Sequence, residues 1–580
     1  MEYALLGVTG IVTVVAVAAF ASRLGVAAPL VLVVVGIVAS FVPGVPELEF
    51  PPELILAVVL PPILYSAAVN VPLVDLRRNL KAITGLSVLL VLVSALVSGV
   101  VLHLLLPDLS LQAAIALGAV ISPPDAVAAT SIGKRLGLPP RLVTVLEGEG
   151  LVNDASALVL LRSAVAASAG AVSLAEIAGD FVYAVAAAIV VGLVVGHVTV
   201  RIRSRLDDPV LNTAISFAVP FVAYFPAERI EASGVLAVVV AGLVTGHRSA
   251  SHFSAQDRLT ERINWRTVQF ILENGVFLLM GIELKALVDQ VEDDDLGVWR
   301  AVLLGLIVTG VLVLVRVVFV VPLVAVLRRD QRRAVGRGER LDGALERLDR
   351  IEDDASDPAA DVDGEQAARR RKARRFLTRR RADVQFLTSE GLGWRGGAVL
   401  AWSGMRGVVT LAAAQSLPSD IPYRPQLVLI AFTVAIVTLL AQGGTLPLLI
   451  RALKITGSDA AADRAELAGL YETIASTGLA TLDNPALRQG DGEPFSPDVI
   501  ERVREESLML SEAVAERSAT EGTRPHAQHR ALRLTVLEAE RAALLDARAS
   551  GEYSSRVLER AQYMLDLEES RLTQLGDDPA

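Results

Sequence analysis

The chain has 580 residues, 53% of them hydrophobic, 20% charged and 5% aromatic, with 54 Lys and Arg set against 64 Asp and Glu. Soluble chains of this size carry about a quarter charged residues, so a mean hydropathy of +0.51 places this one in a membrane. The absence of cysteine excludes a disulfide framework, a thiol nucleophile and cysteine–metal sites. The formal net charge of −10 says little about partners, because the long polar segments carry most of both signs.

From Met1 to about Leu327, and again from about Trp394 to Ile455, apolar runs of roughly 20 residues succeed one another, the length that crosses about 30 Å of hydrocarbon as helix. They predict an all-α polytopic membrane protein with about thirteen spans. The N-terminus lacks a basic n-region and a cleavage site, so it reads as a first span and not as a signal peptide. Basic loops alternate with loops nearly free of Lys and Arg. Arg23, then Arg77, Arg78 and Lys81, then Lys134, Arg135 and Arg141, then Arg201, Arg203 and Arg205, then Arg248 to Arg266 share one side, while Pro46 to Glu49 and Glu292 to Asp295 mark the acidic other. The positive-inside rule then puts the N-terminus outside and the C-terminus in the cytoplasm.

The expected organisation is spans 1–11 over residues 1–328, a charged cytoplasmic loop over 329–390, spans 12 and 13 over 391–455, and a helical cytoplasmic tail over 456–580. The loop's basic cluster, Arg369 to Arg381, reads as a partner of anionic lipid headgroups beside a membrane span and not as a nucleic-acid site. In the tail, Ser496-Pro497-Asp498 has the pattern of a helix start. A turn is expected at Ser550-Gly551, and after it Leu558, Ala561, Leu565 and Leu572 recur at helical spacing. No catalytic motif or cofactor site is visible there.

Charged residues inside spans cost several kcal/mol (about 3 on insertion scales) unless paired or hydrated. Asp125, Glu147, Glu149, Asp154, Arg162, Glu273, Arg316 and Arg406 fall there. If each base takes one acid, about two carboxylates are left over and must hold a proton or a cation. Pro123 and Pro124 remove two helical hydrogen bonds in mid-span, so the helix breaks at Asp125, and the freed carbonyls can coordinate cations. Asp125 can also cap the half-helix that follows. In Glu147-Gly148-Glu149-Gly150-Leu151-Val152-Asn153-Asp154, Glu149 and Asn153 share a helix face and Asp154 points elsewhere. Ser403-Gly404-Met405-Arg406-Gly407 weakens a second span around a guanidinium, for which Glu149 is the expected ion-pair partner. The two interrupted spans run in opposite directions, the arrangement of inverted repeats around a midplane site.

Leu60-Pro61-Pro62-Ile63-Leu64, Ser122-Pro123-Pro124-Asp125, Glu147 to Ala155, Phe277 to Gly281 and Gly404-Met405-Arg406-Gly407 together resemble the cation:proton antiporter-1 family of Na+/H+ exchangers, in its bacterial, NhaP- and NHE-like branch. The resemblance spans about residues 1–455. It implies an inverted-repeat antiporter fold, a homodimer in the bacterial plasma membrane, electroneutral exchange, and a role in pH and sodium homeostasis. It also implies Na+ or H+ at Asp154 with Asp125 as second acid, and Glu149 with Arg406 as a structural ion pair. The chain has Pro124-Asp125-Ala126 where many relatives have Thr-Asp-Pro, Tyr65-Ser66 where they have Phe-Glu, and Gly150 where they have Ser.

The reading is therefore a secondary antiporter and not an enzyme, in which Asp154, helped by Asn153 and Asp125, holds either a dehydrated monovalent cation or a proton. A K+/H+ or mixed-cation exchanger is the runner-up. A cation channel with a regulatory tail stands behind it, and a membrane-anchored sensor last.

Overall fold

The computed structural model describes residues 2–43, 51–169, 174–292, 297–354, 364–389, 392–455, 457, 460–484, 486–489, 492–518, 525–550 and 555–574. The acidic residues of 46–49 and 293–295, and Gly551 of the expected tail turn, lie outside them. Among the described residues the structure is helical, without strands. Two units separate, Met1–Ile455 and Thr456–Ala580.

Among the described residues of the first unit, ten helices are long and apolar enough to cross a membrane. Three more of the expected crossings are built differently. Ala28–Ser40 is apolar but only 13 residues long; Ala255–Ile282 carries polar residues along its first half; and Trp394–Trp402 with Val408–Gln415 is a helix broken in two. The other broken helix is Leu111–Ile121 followed by Ala126–Arg135. Ahead of Pro61 and Pro62, a π-helical turn at Ile55–Val59 widens the helix where proline removes the ordinary hydrogen bonds.

The apolar residues of this unit form two clusters. One gathers Leu32, Leu86, Leu117, Met405 and Phe432, the other Tyr65, Val219, Val238 and Trp265. Several helices contribute to both clusters, among them the two that carry the acidic residues of interest. Pro140–Ala169 contributes Leu146 and Leu161 to the first and Leu151 and Ala155 to the second; Ala255–Ile282 contributes Phe277 to the first and Trp265 to the second. Asp154 and Glu273 are carried on these two helices, at the seam between the clusters. Close approach is made by glycine: Gly36 and Gly281 face each other so tightly that a Cβ on either would lie 2.8 Å from the other's Cα.

The segment after span eleven does not leave the helix. Val298–Asp354 continues for 57 residues, and Gly364–Ser389 packs beside it through Arg381–Asp342 at 2.6 Å. In the second unit a helix begins at Pro497 with Asp498 in its first turn. Pro525–Ser550 and Ser555–Gln574 are joined there by Arg533, whose guanidinium grips Glu568 at 2.8 Å through two nitrogens.

Candidate functional site

The two breaks cross. The backbone N–H of Asp125 donates to the Met405 carbonyl at 2.6 Å. Arg406, 1% exposed, donates through Nε to the Ile121 carbonyl at 3.0 Å, through Nη2 to that of Ser122 at 3.5 Å, and through Nη1 to that of Gly404. Its own N–H is held by Thr438 Oγ1 at 3.0 Å. The guanidinium thus sits at the carbonyl ends of both inner half-helices, where the helix dipole favours a cation. At the opposite ends, Asp125 Oδ1 accepts from Val127 N at 2.8 Å and caps Ala126–Arg135, and its other oxygen lies against Gly407, the N-cap of Val408–Gln415. One carboxylate therefore faces two helix N-termini and one guanidinium faces two C-termini.

This arrangement corrects the expected ion pair. Glu149 is joined in a bidentate bond by Arg316, at 2.6 and 2.8 Å, with both side chains 2% exposed. Arg316 also donates to the Leu400 carbonyl at 2.9 Å. Arg406 does not need a carboxylate, because the carbonyls released by the breaks accept its hydrogens.

The rest of the charge ledger follows. Glu147 pairs with Lys134 at 2.7 Å and Arg162 with Glu228. Asp125, Asp154 and Glu273 are left without a cationic partner among the described residues, three carboxylates where about two were expected. All three are half-buried and not sealed, and Asp125 is within electrostatic range of both of the others. Asp154 has no hydrogen bond or ion pair among the described residues. Asn153, fully buried, donates through Nδ2 to the Pro124 carbonyl at 2.6 Å, while its Oδ1 has no hydrogen-bond partner. Asn153 thereby ties the proline break to the helix that carries Asp154 and leaves one oxygen lone pair uncommitted. Pro123 and Pro124 themselves are buried in the break.

Glu273 was legible as a charge in a span but without a role. Its position is fixed by a chain of side chains: Ser66 Oγ donates to Gln269 Oε1 at 2.8 Å, and Gln269 Nε2 donates to Glu273 Oε1 at 2.6 Å. The Gln269–Glu273 spacing of one helical turn was the available signal.

The sequence matches the model of the sodium/hydrogen exchanger transmembrane family over residues 10–452. This chain belongs to the sodium/hydrogen exchanger family. It is a multi-pass membrane protein and a cation/proton antiporter, a transporter and not an enzyme. The exchanger is 28% identical to an uncharacterized Na(+)/H(+) exchanger of Mycobacterium tuberculosis over 98% of this chain and 97% of that protein. It is 31% identical to the sodium, potassium, lithium and rubidium/H(+) antiporter of Bacillus subtilis over 50% of this chain and 45% of that one. The exchanger's fold is similar to that of the sodium proton antiporter MjNhaP1 from Methanocaldococcus jannaschii, with a TM-score of 0.56 and 15% identity over 78% of this chain and 99% of that chain.

Proposed function

We propose that this exchanger trades Na+ or Li+ for H+ at Asp154, one cation against one proton, so that exchange is electroneutral. The observation that carries the reading is Asp154 itself, a half-buried carboxylate without a partner among the described residues, next to Asn153 whose buried Oδ1 has no hydrogen-bond partner. An ionised carboxylate in that position demands a cation, and a protonated one does not. Occupancy by either ion, never both, couples the two flows in a site open to one side at a time. Asp125 supplies negative charge close by and, with the unwound backbone at Pro123 and Pro124, lines the site.

In this reading the protein lies in the bacterial plasma membrane with its N-terminus outside and its tail in the cytoplasm, as a homodimer serving pH and sodium homeostasis. The boundaries at residues 328, 390 and 455 divide it into transport body, loop and tail. A mixed-cation exchanger is the second reading, favoured by the B. subtilis relative that is named for four alkali cations.

The test is dequenching of an acid-lumen dye in everted vesicles on addition of NaCl, LiCl or KCl across a pH series. Asp154→Asn is expected to reach the membrane and to give no dequenching with any salt. Cation-driven proton movement retained in Asp154→Asn would sink the assignment.

A further inference from the structure

The Gly364–Ser389 helix carries eight arginines and a lysine against two carboxylates, and it does not simply project from the membrane. It returns to the transport body at the short helix Leu73–Arg78. There Asp383 accepts from Arg78 at 2.9 Å and from Arg77 at 3.2 Å, and the Phe386 ring lies beneath the Arg78 and Arg141 guanidinium groups at 4.8 and 5.6 Å. Between the two helices opens a cavity of about 420 Å³, walled by Arg77, Arg78, Arg379 and Arg380 together with Phe376, Leu387 and Asp383.

Four guanidinium groups thus line a cavity whose wall holds one carboxylate, Asp383, which Arg77 and Arg78 already share; Arg78 also pairs with Asp75 at 3.6 Å. Arg379 and Arg380 have no carboxylate partner among the described residues, and Arg380 stands over the Phe376 ring at 5.2 Å. A basic segment that serves only to fix topology needs neither a cavity nor an aromatic wall; its arginines would repel one another into solvent. Guanidinium forks match phosphate oxygens two at a time, and the volume is that of a small-molecule site. We propose that this cavity binds a phosphate-bearing anion, with the phosphate between Arg379, Arg380 and the Arg77–Arg78 pair and an apolar portion against Phe376 and Leu387. The phosphate can belong to an anionic lipid headgroup or to a soluble organic phosphate.

The full-length exchanger in nanodiscs separates the two sources. One arm titrates ADP against protein in phosphatidylcholine discs; the other measures enrichment of labelled phosphatidylglycerol around the protein in mixed discs. Wild type is expected to bind one or both probes, and Arg379→Gln/Arg380→Gln to weaken that binding about tenfold or more, with unchanged thermal unfolding. Binding of phosphatidylglycerol alone assigns the lipid, and binding of ADP alone the soluble source. Arg371→Gln, which removes an exposed charge of the same helix outside the cavity wall, is expected to bind as wild type. Binding of neither probe by wild type, unchanged affinity in the double variant, or an equal loss in Arg371→Gln would overturn the site.

Discussion

Gly407 packs directly against the Asp125 carboxylate: a Cβ at position 407 would lie 2.6 Å from Asp125 Cγ and 2.7 Å from its Cβ. Both neighbours are fixed, Asp125 by its backbone bond to Met405 and its cap on Val127. Gly407→Ala therefore has to push the two breaks apart. Antiport is expected to fall by about tenfold to a hundredfold, the order that misplacing site groups by about 1 Å can cost, in dye assays normalised to protein abundance. Wild-type rates would show that the crossing has slack that the packing does not reveal.

Arg316 and Glu149 are a buried bidentate pair, and truncating one partner strands the other. Arg316→Ala should cost about 3–5 kcal/mol, read as a fall in midpoint of thermal unfolding in detergent. The double change Arg316→Met/Glu149→Gln should recover much of that loss. If Arg316→Ala unfolds at the wild-type temperature, the pair is not what holds Pro140–Ala169 to Val298–Asp354.

Glu273 tests whether the third carboxylate contributes to the site. Glu273→Gln keeps a group able to bond Gln269 but removes a negative charge within range of Asp125. Apparent Na+ affinity is expected to weaken about fivefold, a coupling of about 1 kcal/mol between partly hydrated charges, with abundance unchanged. Unaltered half-saturation across the pH series would place Glu273 outside the site.

The tail gives a pH prediction with a definite sign. The Arg533 guanidinium holds Glu568 below the usual carboxylate value of 4.5. A lowered carboxylate contributes stability that is fully present above pH 4.5 and is lost as pH falls through the folded-state value. Contact between Pro525–Ser550 and Ser555–Gln574 should therefore loosen only below pH 4.5, seen as faster amide exchange in both helices. The effect should be smaller in Glu568→Gln, where the Arg541 pairs with Asp566 and Glu569 still join the two helices.

The site was legible where the chain itself disrupts the helix. Pro123 and Pro124 force a break that no packing can repair, and the glycines around Arg406 mark the second. The partners of the two buried arginines were not legible, because pairing bases with acids counts side chains alone. Broken helices also offer carbonyls, and at Arg406 they replaced the carboxylate. Arg316 was visible as a charge, but only the fold brings it to Glu149, 167 positions away. The run at 329–390 read as a loop since it is polar and highly charged; its part up to Asp354 is helix because the membrane helix ahead of it supplies the nucleus. The docking of that segment rests on Asp383, one acid among many bases, which composition averages away.

Arg316 and Asp330 lie on one continuous helix, about 21 Å apart at 1.5 Å per residue. That helix is a lever arm: its inner end grips Glu149, and its outer end carries Asp330, which Lys81 holds at 2.6 Å. Pro322 lies between them and removes one rung of the hydrogen-bond ladder, a joint in an otherwise stiff shaft. The same helix thus ties the Lys81 contact at one end to the helix of Asn153 and Asp154 at the other, with a single proline between the two attachments.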